Sequence, residues 1–90
     1  MFLFIKDIVP KCTEKIEGQM VYQSFAAGLA QSENVRLDFF GIMTVTDDFI
    51  NGMLGAVEPQ NFKQLHHVRA KNHILTKIKT FSKSRMAQIS

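Results

Sequence analysis

The sequence predicts an α/β fold, a small β-α-β-α-β-α domain with a mainly parallel sheet. Three observations lead to it. The chain opens on a continuous apolar run, Phe2-Leu3-Phe4-Ile5; a segment with Val35, Leu37 and Phe39 at alternate positions follows; and segments with helical apolar spacing separate and follow them. Strands that alternate with helices favour right-handed crossovers within one parallel sheet. The 90 residues suffice for a single domain, taken as 1–90, with one core.

Phe2 to Ile5, resumed by Ile8-Val9 and closed by Pro10, reads as a first strand near 2–9. Its lack of alternation suits a strand covered on both faces. From about Gly18 to Gln31, Val21, Phe25 and Leu29 recur every four residues, with Met20 and Ala26 alongside, which predicts an amphipathic helix. Ser32-Glu33-Asn34 is a turn. The second strand, near 35–43 and central to the fold, sets Val35, Leu37 and Phe39 on one face and Arg36, Asp38 and Phe40 on the other.

Thr46 is an N-cap residue followed by two first-turn acids, Asp47 and Asp48. Phe49, Ile50, Met53, Leu54 and Val57 then space a second helix, which ends at Glu58-Pro59 because the residue before proline avoids the helical region. Gly52 and Gly55 each cost this helix about 1 kcal/mol against alanine, so their use points to close packing. Phe62, Leu65 and Val68 mark a third strand near 62–68. A last helix over about 71–87 carries Ile74, Leu75, Ile78 and Phe81 as one stripe, with Lys77, Thr80, Lys83 and Ser84 away from it. The expected core is Phe25, Leu37, Phe39, Phe49, Met53, Leu54, Ile74 and Ile78.

The composition, 46% hydrophobic and 21% charged, excludes a disordered or fibrous chain. The lone Cys12 cannot form an internal disulfide, and the start of the chain lacks the basic region of a signal peptide. No apolar run approaches the roughly 18 residues needed to span a bilayer. These features predict a cytoplasmic protein with no membrane contact. The net charge of +3 hides a split, because residues 1–60 hold 8 acids and 4 bases whereas residues 61–90 hold 7 bases and no acid. Such asymmetry marks either a solvated basic helix face or a surface for an anionic partner.

Candidate chemistry is sparse. His66 and His67 adjoin on a strand, so their rings point to opposite faces, and His73 lies beyond a turn; no metal site converges. Cys12 has only Lys11 as a basic neighbour and no assignable general base. The dispersed glycines form neither a P-loop nor a dinucleotide fingerprint. Asp38 with Asp47 and Asp48 reads as a strand-end acid plus helix capping rather than a magnesium cluster or a catalytic acid pair. No enzyme activity, metal or cofactor is expected.

Val35-Arg36-Leu37-Asp38-Phe39-Phe40-Gly41-Ile42, followed by Val45-Thr46-Asp47-Asp48-Phe49-Ile50 and Met53-Leu54-Gly55, resembles the central segment of STAS domains, the fold of anti-sigma-factor antagonists. It is most similar to the STAS-like branch of small bacterial and phage proteins, in which a strand ending in Leu-Asp-Phe-x-Gly-Val leads through a loop to a helix opening near a Phe. The resemblance implies a regulatory module that binds another protein, frequently a histidine-kinase-like ATPase. Antagonist domains carry a phosphorylated serine at the start of this helix, and the ungapped alignment puts Asp48 there. Asp48 is then either a plain helix cap or a permanent negative charge in place of the switchable phosphoserine. Thr46 is a further phosphoacceptor candidate, disfavoured by its acidic neighbours.

The leading expectation is thus a non-catalytic protein-binding module that uses Thr46, Asp47, Asp48 and Asn51, in the loop and helix start beyond the carboxyl end of a strand. The first alternative is nonspecific nucleic-acid binding through the basic 63–85 segment, with Lys71, Lys77, Lys79, Lys83 and Arg85 on phosphates. The second is a phage-type inhibitor of a host complex. Self-association is left open.

Overall fold

In the computed structural model, which describes residues 1–87, three short strands form one parallel sheet. β1 (Phe2–Phe4), β2 (Val35–Asp38) and β3 (Leu65–Val68) lie in the order β1-β2-β3, so the second strand is central as expected. The register aligns Leu3, Leu37 and His67 in one row across the strands, and Phe2, Arg36 and His66 in the row before it. Consecutive parallel strands joined by crossovers of one hand place both connecting helices on the same face. Here α2 (Lys15–Ala30), α3 (Asp47–Leu54) and α4 (Asn72–Ala87) share a single core with Val35 and Leu37. The opposite face is open, with Phe2, Arg36 and His66 all exposed. This corrects the expectation of a first strand covered on both sides.

Every residue of the expected core is buried, joined by Ile5, Val9, Val21, Val35, Val45 and Val57. The element limits differ in instructive ways. β1 ends at Phe4, and the chain makes a single turn, α1 (Ile5–Ile8), in which the Val9 N–H bonds to the Ile5 carbonyl at 3.1 Å. Phe4 pairs with Asp38, the last residue of β2, so beyond Phe4 there is no ladder partner and the backbone satisfies itself locally. β2 stops at Asp38 rather than near 43 because Asp38 Oδ1 accepts the Phe40 N–H at 2.9 Å and Gly41 turns the chain at φ +82°. β3 begins at Leu65, not Phe62; Pro59 instead opens a 3-10 helix over Pro59–Gln64.

α2 starts at Lys15, three residues before the hydrophobic period begins. Its start is set by Glu17, whose carboxylate accepts the backbone N–H groups of Thr13 and Glu14, each at 3.0 Å. Desolvation raises the Glu17 pKa, but the N–H groups of Glu14 and Thr13 outweigh it and hold the carboxyl below its usual value. α3 ends at Leu54 instead of running to Glu58. The close packing expected of Gly52 is real: a Cβ there would lie 2.1 Å from the Lys15 carbonyl oxygen, and one on Gly18 would lie 2.1 Å from that of Phe49. The two glycines let the backbones of α2 and α3 cross in near contact.

Candidate partner-binding site

The loop from Phe39 to Thr46 joins the carboxyl end of β2 to α3, and buried residues fasten it at both ends. Phe39, Ile42 and Val45 enter the core, whereas Phe40, Met43 and Thr44 point outward. The Ile42 N–H bonds to the Phe39 carbonyl at 3.0 Å, and His73 Nε2 lies 2.8 Å from the Met43 carbonyl oxygen, tying the loop to the start of α4. Met43 is 65% exposed at its tip.

Thr46 anchors the helix start. Its Oγ1 accepts the Phe49 N–H at 3.1 Å and donates to the Thr13 carbonyl at 2.6 Å, while its N–H donates to the Cys12 carbonyl at 3.1 Å. Thr46 is therefore the N-cap, as its residue type predicts, and its hydroxyl is engaged in the fold. Asp47 is 89% exposed and its Oδ1 accepts Lys77 Nζ at 3.1 Å, a surface pair between α3 and α4. Asp48 is exposed and makes no hydrogen bond or ion pair among the described residues. The side-chain cap is thus Thr46, and Asp48 stands in the first turn, where the helix dipole favours a negative charge. Asn51 is exposed and lines the groove between α2 and α3 with Lys15, Gln19 and Tyr22. Asp47 is accordingly bonded to α4, Asn51 borders α2, and Asp48 is the free charge of the set.

The basic segment does not form one stripe. Lys77 is taken by Asp47. Arg85 reaches back to the carbonyls of Leu54, Gly55 and Val57 at 3.1, 2.7 and 3.0 Å, capping the end of α3 as a structural strut. Arg69 pairs with Asp38. Lys71, Lys79 and Lys83 are exposed without such partners among the described residues.

Groups with chemical potential are engaged elsewhere. Burial, with the Glu17 charge second, pushes the Cys12 thiol up to about 12, far from a reactive thiolate. Burial, aided by His66, lowers the His67 pKa to about 4. His66 and His67 lie on opposite faces, as adjacent strand residues must, and among the described residues no three His, Cys, Asp or Glu side chains gather as for a metal ion. No helix among them is long and apolar enough to cross a membrane.

One cluster escaped the sequence reading. Asp38 is 1% exposed and is clasped by Arg69, whose Nε lies 3.0 Å from both carboxylate oxygens and whose Nη2 bonds Oδ2. The Arg69 bond, reinforced by the Phe40 N–H, holds the Asp38 carboxyl below the usual carboxylate range despite burial. Arg69 adopts a left-handed backbone, φ 53°, which turns the chain out of β3, and its guanidinium lies 4.5 Å from the centre of the Phe40 ring. The visible signal was an acid inside the alternating pattern of β2. Its partner 31 residues later had no local mark.

Neither a family model, a curated protein nor a solved structure matches this chain.

Proposed function

We propose that this chain is a regulatory, non-catalytic module that binds a partner protein through the loop and helix start at 43–49, with Asn51 beside it. The observation that carries the reading is Asp48, an exposed carboxylate without a partner among the described residues, on a helix start that Thr46 already caps. Its charge is not needed to close the helix, and it stands on a loop fastened by Ile42, Val45 and Thr46 that also exposes Met43. A preorganised apolar tip beside a fixed charge suits protein recognition, because little ordering entropy remains to be lost on binding. The resemblance of residues 35–55 to STAS-like domains supports the same surface and suggests a histidine-kinase-like ATPase as partner, with Asp48 in place of a phosphoserine. The absence of catalysis is supported by the engagement of Cys12, Asp38 and Thr46 in burial, an ion pair and a cap.

The test measures partner affinity and melting temperature on Asp48→Ser and Asp48→Lys, with the partner recovered from the native host. Recognition predicts a loss of about tenfold, or 1.4 kcal/mol, in Asp48→Ser at nearly unchanged melting temperature. Unchanged affinity in both variants removes Asp48 from the interface. Nucleic-acid binding along 63–85 is the weaker reading, since Lys77 and Arg85 are already bonded within the fold.

A further inference from the structure

Parallel sheets are almost always covered on both faces. In this molecule one face is open, and its side chains have a consistent character. The row Phe2, Arg36, His66 crosses all three strands, and all three residues are exposed. In the next row Phe4 flanks the buried Asp38, over which Phe40 and Arg69 fold from the strand ends; the rings of Phe4 and Phe40 are 6.5 Å apart between centres. Phe2 and Phe40 are 57% and 55% exposed. Asp38 brings the one carboxylate in these two rows, and Arg69 holds it out of solvent. These two rows therefore offer aromatic rings and the free cation of Arg36, with no free acid.

We propose that this open sheet face binds a single-stranded nucleic acid, with Phe2 and Phe40 stacking on bases and Arg36, the unpaired cation of the face among the described residues, facing a phosphate. Flat strand surfaces bearing exposed rings accept unstacked bases, which a duplex keeps inside its own stack, and guanidinium groups supply the complement to the phosphate backbone. Charge complementarity selects this occupant over a second copy of the chain. Two such faces packed together would set Arg36 against its own equivalent, while the carboxylate of the face, Asp38, is already spent on Arg69. The residues of this surface are distinct from those at 43–49, and Lys79 and Lys83 on α4 take no part in it.

The test is fluorescence polarisation with a short labelled single-stranded DNA of mixed sequence and its duplex, titrated with the full chain at about 50 and 200 mM salt. The single strand should bind more tightly than the duplex, and binding should weaken with salt. Phe2→Ala/Phe40→Ala should lower single-strand affinity about tenfold or more. Arg36→Glu should lower it as well, whereas Lys79→Gln/Lys83→Gln on α4 should change it less than either. The altered side chains on the sheet are solvent-exposed, so the melting temperature should hold and separate lost binding from lost fold. No binding at low salt, equal binding to the duplex, or loss confined to the α4 variant overturns the proposal. So does sedimentation showing a dimer that Phe2→Ala/Phe40→Ala dissolves.

Discussion

The two faces of the sheet are built from neighbouring residues of the same strands, yet they differ in almost every physical respect. Leu37 is fully buried beneath the helices while Arg36, one residue earlier, is exposed; His67 is partly buried with its Nε2 enclosed, and His66 is exposed. The covered face supplies the core. The open face keeps one buried charge, Asp38, and holds it with Arg69. A strand reverses its side chains at each residue, so one sheet can dedicate one side to stability and leave the other to recognition. The difference teaches that apolar residues on β1 do two jobs: Leu3 packs against the core, whereas Phe2 stays at the surface.

The largest test of this contrast is Leu37→Ala, expected to destabilise the fold by about 2 to 5 kcal/mol in denaturant unfolding, the range for a buried leucine that leaves a cavity. A loss below 1 kcal/mol would mean that the covered face is not the core. The next concerns His67, whose Nε2 is buried without a partner. Its pKa is about 4 in the fold against the ordinary 6.5, so above pH 6.5 both states are neutral and no pH dependence arises from it. As pH falls from 6.5 to 4 the unfolded chain gains a proton that the folded chain resists, and stability declines by about 3 kcal/mol at full extent. His67→Leu should flatten that portion of the stability profile, while His66→Leu on the open face should leave most of it in place.

Arg69→Ala tests the open face itself. It removes the guanidinium from a buried carboxylate and should cost about 1.5 to 3 kcal/mol at neutral pH, a charge-assisted bond reaching in from solvent rather than a fully buried pair. The Asp38 carboxyl is held below its usual value, so the stabilisation is present above the unfolded pKa and is lost as pH falls through the folded one. The destabilisation measured for Arg69→Ala should shrink in acid accordingly. The smallest effect is expected for Arg36→Ala, within about 0.5 kcal/mol of the parent, as for surface changes that touch no special feature. A large loss there would show that the open face contributes to the core.

How far the sequence could be read depended on the range of the interaction. The stripe of Val21, Phe25 and Leu29, the alternation through Val35, Leu37 and Phe39, and the Thr46 cap are all written within a few residues, and each was legible. The candidate site was legible in part: the exposed helix start and the free Asp48 follow from local pattern, but the diversion of Asp47 to Lys77 joins residues 30 apart. The same distance hid Arg85, which reads locally as one more base on a solvated helix and in the fold caps the end of α3.

By itself, then, the sequence determined an α/β order, the central place of the second strand and the larger part of the helix-facing core around Phe25, Leu37, Phe49 and Ile74, because burial is encoded in short-range apolar periodicity and a helix or strand of a small domain hides one face. Only the tertiary structure decided where each strand stops and which face stays bare. β1 ends where β2 runs out of partners, Asp38 is secured by an arginine that arrives after β3, and all three long helices gather on one side. The physical reason is that backbone ladders and ion pairs require two distant segments at once, so neither segment alone carries the information.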